Sequence, residues 1–170
     1  SYTFPSTANA FLLRGAKVIF ADSCPSNPNI DTDKIESLIT QRSKAIVPVH
    51  YAGIACDMDL ISEIASKHNL FIIEDAAQCI HAFHKKTPFG SLGDIGCFSF
   101  HDTKNIICGE GGLISLNNLD LIDKAEIIRE KGTNRSAFFR GEIDKYGWVS
   151  LGSSDLPSEI LAAFLLAQLE

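Results

Sequence analysis

Apolar residues recur along this chain in two alternating patterns. Lys17 to Ala21, Ala45 to His50, Leu70 to Asp75, Ile95 to Phe100 and Gly112 to Leu116 are short runs rich in β-branched and aromatic residues. Runs of that length, bounded by polar residues, predict strands. Between them lie segments with helical spacing. Ile30 to Thr40 places Ile30, Ile35, Leu38 and Ile39 on one stripe, with Asp31 and Thr32 as start signals. Met58 to Lys67 gathers Leu60, Ile61, Ile64 and Ala65 on one face, and Asn69 ends it. Leu119 to Arg129 and Glu159 to Leu169 read as further helices. Strands alternating with helices of this length predict an α/β fold with a mostly parallel sheet flanked by helices. Arg135 to Ser154, with the only tryptophan, several glycines and several charges, predicts an irregular excursion. In open sheets of this kind ligands bind beyond the carboxyl ends of the strands. That rule singles out Asp22, His50, Asp75 and the turn from Ser99 to Lys104.

Composition narrows the picture. A chain of 170 residues suits one domain, and 45% apolar with 21% charged residues is ordinary for a globular protein. Fifteen Lys and Arg against 21 Asp and Glu give a net charge of −6, which speaks against a nucleic-acid partner. The longest apolar run, Ile160 to Ala167, is too short to span a bilayer, so no membrane partner is expected. Five cysteines, none spaced C-x-x-C, argue against a zinc knuckle and a disulfide scaffold, and predict free thiols in a reducing cytoplasm. His81 and His84 lack a third ligand for a metal site. The chain has no initiator Met and reads as starting mid-sequence.

The chemistry concentrates in two places. Asp75 closes an apolar strand, where a carboxylate needs a positive or proton-donating partner. Gln78 follows three residues on and can face the same ligand. On the strand alone, Asp75 reads more simply as the cap of a helix beginning at Ala76. Lys104 lies in a tight turn after a strand. Partial desolvation there frees an amine for Schiff-base chemistry, although a loop lysine is far more often a plain surface residue. The cluster Gly109-Glu110-Gly111-Gly112 has neither a Walker pattern nor G-x-G-x-x-G, and predicts a bend where backbone passes close to something. His50 either lines a cleft or hydrogen-bonds in the core. His101 shapes the Lys104 turn.

Glu74-Asp75-Ala76-Ala77-Gln78, then Gly93 through Asn105, then Gly109 through Gly112 together resemble the core of the DegT/StrS-type sugar aminotransferases. The resemblance extends through Ser1-Tyr2-Thr3-Phe4, His50-Tyr51-Ala52-Gly53 and Arg129 to Arg135, and ends with Ala162-Ala163 and Gln168-Leu169-Glu170. Gly132 to Arg135, Phe138 to Gly141 and Gly152-Ser153-Ser154 look most like the WecE-type branch. The resemblance implies a fold type I enzyme using pyridoxal 5′-phosphate (PLP), with these residues in its large cofactor-binding domain. Lys104 falls at the Schiff-base position and implies a general base and acid for proton transfer. Asp75 matches the partner of the ring nitrogen, Gln78 a residue beside the ring oxygen, Ser99 a phosphate-contacting hydroxyl, and Phe4 an aromatic stacked on the ring. Arg135 and Ser154 match a loop crossing to a partner's cofactor in a homodimer with shared active sites. The implied reaction moves the amino group of L-glutamate onto the C4 ketone of a nucleotide-linked sugar. For the WecE-type branch that is dTDP-4-keto-6-deoxy-D-glucose, in surface polysaccharide or enterobacterial common antigen biosynthesis.

Family members are longer. The expectation is therefore a single, incomplete PLP-binding domain over residues 1–170, without the N-terminal phosphate-binding segment and the C-terminal small domain. Two other readings stand beside it: a catalytically incompetent folded or dimerising remnant, and a nucleotide-binding α/β domain of another class. The latter needs a Gly-rich first βα turn, which this chain lacks.

Overall fold

The computed structural model describes residues 2–170; Ser1, which opens the Ser1-Tyr2-Thr3-Phe4 match, lies outside the described residues. The chain divides into two compact units, Ser1–Asn117 and Asn118–Glu170.

In the first unit the elements run α1 (Pro5–Leu12), α2 (Thr32–Leu38), β1 (Ala45–Ile46), a 3₁₀ turn (Tyr51–Gly53), α3 (Met58–His68), β2 (Phe71–Asp75), β3 (Phe83–His84), β4 (Thr87–Pro88), β5 (Ile95–Ser99) and β6 (Gly112–Leu116). Four strands form one sheet in the order β1-β2-β5-β6. β1 and β5 run parallel to β2, and β6 closes the sheet antiparallel to β5. β3 and β4 make a separate two-stranded hairpin.

The core follows from α3. Asp57 accepts from the Leu60 N–H at its start, and Asn69 ends it in the left-handed conformation at φ 52°. The face between carries Met58, Ile61, Ile64 and Ala65 into a cluster with Ile35, Ile46, Cys56 and Ile72. Ile61 is fully buried, and complete burial of one such side chain is worth about 1.5–3 kcal/mol.

Four departures from the sequence reading have physical causes. Lys17 to Ala21 forms no ladder, and Ile19 and Phe20 are exposed. A cavity of about 790 Å³ is lined by both this run and β1. Strand propensity is realised only on a neighbouring strand. The run from Ala45 to His50 is ladder only over Ala45–Ile46, with one further bridge from Val49 to Asp75; Pro48 has no N–H to give a ladder. No helix begins at Ala76: the chain turns there, and Asp75 Oδ1 accepts from the Ala77 N–H at 3.1 Å. Helix α1 was not foreseen, although Pro5 at its first turn is a start signal.

In the second unit Leu119–Leu121 is a 3₁₀ turn leading into α4 (Ile122–Arg129), followed by α5 (Arg135–Phe139) and α6 (Glu159–Leu169). Between α4 and α6 the chain is largely irregular, tied by isolated bridges from Glu130 to Ser154 and from Thr133 to Trp148. α6 is apolar nearly all round and has no buried residue.

Candidate active site

Because β2 and β5 are adjacent and parallel, their carboxyl ends lie side by side; Asp75 pairs with Cys97, two residues before Ser99. The segment after Ser99 folds back on itself. Phe100 N–H donates to Gly111 O at 2.8 Å and Cys108 N–H to Phe100 O at 2.8 Å, with Phe100 and Cys108 both buried. Within this loop Lys104 N–H donates to His101 O at 2.9 Å, and the Lys104 side chain is half-buried. His101 is built into the turn, with its Nδ1 within 3.3 Å of the Thr103 N–H and 2.8 Å from Asp102. The glycine cluster does allow close approach. A Cβ at Gly112 would stand 2.9 Å from Phe98 O. Asp75 and Lys104 thus leave neighbouring strands at the same edge of the sheet.

Asp75 is half-buried. Oδ1 accepts from Ala77 N–H, and Oδ2 accepts from Thr7 Oγ1 at 2.5 Å. Thr7 Oγ1 in turn lies 2.8 Å from Thr3 Oγ1. A carboxylate offers about four lone-pair sites. Among the described residues, two of them are filled at Asp75, one on each oxygen: a backbone N–H on Oδ1 and a hydroxyl on Oδ2.

Of the other expected site residues, Gln78, Ser99 and Phe4 belong to the first unit. Gln78 is exposed, and its Oε1 accepts from Ala52 N–H at 2.6 Å, bracing the 3₁₀ turn where Ala52 sits at φ 53°. Its amide NH₂ stays available to donate. Ser99 Oγ accepts from His101 N–H at 3.2 Å and keeps its own proton to give. Phe4, just before α1, is 76% exposed and packs as no core residue. Tyr2 lies edge-on to Tyr51, ring centres 4.9 Å apart, and the Tyr2 hydroxyl beside Tyr51 raises the Tyr51 phenol above its ordinary value. Ser154 belongs to the second unit, where it is exposed and bridged to Glu130. Asp22 lies outside any strand, its carbonyl accepting from Asp31 N–H at 2.8 Å.

Sequence reasoning missed Glu74. It is fully buried, and all four acceptor sites are used: Oε1 takes Leu92 N–H and Gly93 N–H, each at 2.7 Å, and Oε2 takes Gly90 N–H at 2.9 Å and His50 Nε2 at 3.1 Å. Burial pushes this carboxyl up, but His50 and the three backbone N–H groups outweigh it and hold it below the usual glutamate range. His50, fully within the core against Phe89, accepts from Cys56 N–H at Nδ1 (3.2 Å), so its ring proton sits on Nε2 facing Glu74. The core alternative for His50 is the one observed. The available signal was the period of two: in Ile72-Ile73-Glu74-Asp75, residue 74 shares the buried face of Ile72. Among the described residues no group of three or more His, Cys, Asp or Glu is placed to hold a metal ion, and no helix is long and apolar enough to cross a membrane.

A model of the DegT/DnrJ/EryC1/StrS aminotransferase family matches residues 1–170. The GDP-perosamine synthase of Caulobacter vibrioides is 41% identical over 170 residues, covering 100% of this chain and 44% of the synthase. PseC of Helicobacter pylori, an aminotransferase involved in the biosynthesis of pseudoaminic acid, superimposes with a TM-score of 0.87 at 31% identity over 99% of this chain and 44% of its own. The protein Spr1654 of Streptococcus pneumoniae, solved in its PLP form, superimposes with a TM-score of 0.84 at 26% identity over 99% of this chain and 46% of its own. The chain thus spans less than half the length of the curated relatives it matches, from 36% to 44%.

Proposed function

From the premise that this chain belongs to the DegT/DnrJ/EryC1/StrS aminotransferase family, we propose that it carries the PLP-binding centre of a nucleotide-sugar aminotransferase. The observation that carries the proposal is the shared sheet edge: a half-buried lysine on the loop after β5 and a half-satisfied carboxylate at the end of β2. Those two groups are what PLP needs. An amine condenses with its aldehyde, and a carboxylate with spare acceptor capacity takes the N–H of a cationic ring.

Lys104 is the residue that would hold the cofactor and move protons at its Nζ. Asp75 would keep the ring protonated. Ser99 would donate its hydroxyl proton to a phosphate oxygen, Gln78 its amide N–H to the ring oxygen, and Phe4 would cover the ring face. PLP supplies the electron sink for amino transfer when bound. The chain's part is to orient it and to hold charge of the right sign at each end.

The reaction proposed for the protein is ping-pong transfer from L-glutamate to the C4 ketone of a nucleotide-linked 4-keto-6-deoxysugar. The sugar-nucleotide name of the Caulobacter relative and the place of PseC in the biosynthesis of pseudoaminic acid support that substrate class. Its narrowest form is dTDP-4-keto-6-deoxy-D-glucose for enterobacterial common antigen, supported by the WecE-like run from Gly132 to Ser154. The protein would work in the cytoplasm as a homodimer in which Ser154 reaches the partner's cofactor. The apolar surface of α6, with Ile160 81% exposed, is in keeping with an interface there.

The test is spectroscopic. Addition of PLP should turn the protein yellow, and Lys104→Ala should abolish the colour. A colourless protein that borohydride does not label at Lys104 would instead be a folded remnant without turnover.

A further inference from the structure

Asp75 receives one of its two hydrogen bonds from outside its own strand and turn. The donor is Thr7, in the first turns of α1. A carboxylate only accepts, so the Thr7 hydroxyl proton is committed to Asp75 Oδ2. With that proton spent, the 2.8 Å contact to Thr3 can be made only with Thr3 as donor. The relay therefore has one direction, Thr3 to Thr7 to Asp75. Ala77 N–H meanwhile holds the other oxygen. Rotation about the last bond of an aspartate is ordinarily broad. Two donors on different oxygens, arriving from α1 and from the turn, restrict it to one plane. Packing does not explain Thr7, since α1 buries none of its residues.

We propose that Thr7, backed by Thr3, is the positioning residue of Asp75. It fixes the carboxylate plane so that the unfilled acceptor site on each oxygen is presented to a cationic ring N–H. Thr7 touches no reacting atom in this role; it acts through Asp75. The proposal rests on the PLP reading above.

The experiment is a titration of the protein with PLP, followed by cofactor absorbance, for wild type, Thr7→Val and Thr7→Ser. It is repeated with a PLP analogue carrying CH in place of the ring nitrogen. Thr7→Val keeps the volume but removes the donor, and should weaken PLP binding about tenfold, as expected for a hydrogen bond to a charged group. Thr7→Ser keeps the donor and should restore binding. The nitrogen-free analogue should bind wild type and Thr7→Val alike, and Thr7→Val should add nothing in an Asp75→Ala background. Equal PLP affinity in wild type and Thr7→Val overturns the proposal, as does an equal loss with the analogue. If Thr7→Val does not fold, Thr3→Val breaks the relay one hydroxyl earlier and should show a smaller loss with the same selectivity for the ring nitrogen. Wild-type protein that takes up neither PLP nor the analogue refutes the cofactor reading itself and this proposal with it. Wild type that binds PLP with Thr7 indifferent refutes only the role of Thr7.

Discussion

Glu74 and Asp75 are consecutive carboxylates of one strand, and their surroundings are opposites. Glu74 faces inward, fully buried, with four donors on four acceptor sites. Asp75 faces the sheet edge, half-buried, with one donor on each oxygen. The alternation of side chains along a strand is enough to send them apart. The closed carboxylate ties His50, the turn from Gly90 to Gly93 and β2 together. Its neighbours are fitted closely: a side chain at Gly96 would overlap the backbone of Gly90. The open one has capacity left for a ligand. One is fully engaged in the scaffold and the other keeps acceptor capacity, though they differ by a single position.

Substitutions should separate the two. Glu74→Ala strands the His50 N–H and three backbone N–H groups in the interior. It should cost about 3–5 kcal/mol of stability, read as a lowered midpoint in urea unfolding, with cofactor binding lost only because the fold is. Lys104→Ala should do the reverse. The thermal midpoint should barely move, while amino transfer from L-glutamate falls by about a hundredfold or more. Asp75→Ala belongs with Lys104. It should lower turnover by about a hundredfold through loss of charge at the ring, and weaken PLP, with a folded protein remaining. A mutant pair that failed in the same assay to the same degree would erase the distinction.

Acid should act on the closed carboxylate more gently. Its folded pKa is depressed, so its contribution to stability is complete above the ordinary glutamate value of about 4.3 and is lost as pH falls through the lowered folded value. The thermal midpoint of wild type should therefore hold down to about pH 5 and decline below about pH 4. Glu74→Gln, compared with wild type, should show a shallower acid decline from a lower starting stability. Smallest of all should be the reactivity of Cys56, whose backbone N–H serves His50. Burial pushes its thiol up to about 12, so at pH 8 iodoacetamide should leave it unmodified until the protein unfolds.

The α/β alternation was legible because α3, β2, β5 and β6 each have strong periodicity and clear stops, Asn69 among them. Lys17 to Ala21 reads equally well as a strand, but a strand exists only in a ladder, and this run instead lines a cavity together with β1. Asp75 and Lys104 stood out in the sequence as candidates because each ends or follows an apolar run, and what the fold adds is that β2 and β5 are adjacent and parallel. Glu74 was hidden beside a more conspicuous neighbour, and its four donors come from positions as distant as His50 and Gly93, which spacing along a chain cannot reveal. Thr7 was hidden for the same reason: its partner lies 68 residues away.

The most direct measurement is borohydride reduction of the PLP-treated protein, followed by digestion and mass spectrometry. Phosphopyridoxyl label on Lys104 in wild type, sharply reduced in Asp75→Ala, is the predicted result. Label absent from Lys104, or spread evenly over exposed lysines such as Lys67 and Lys85, would contradict the account.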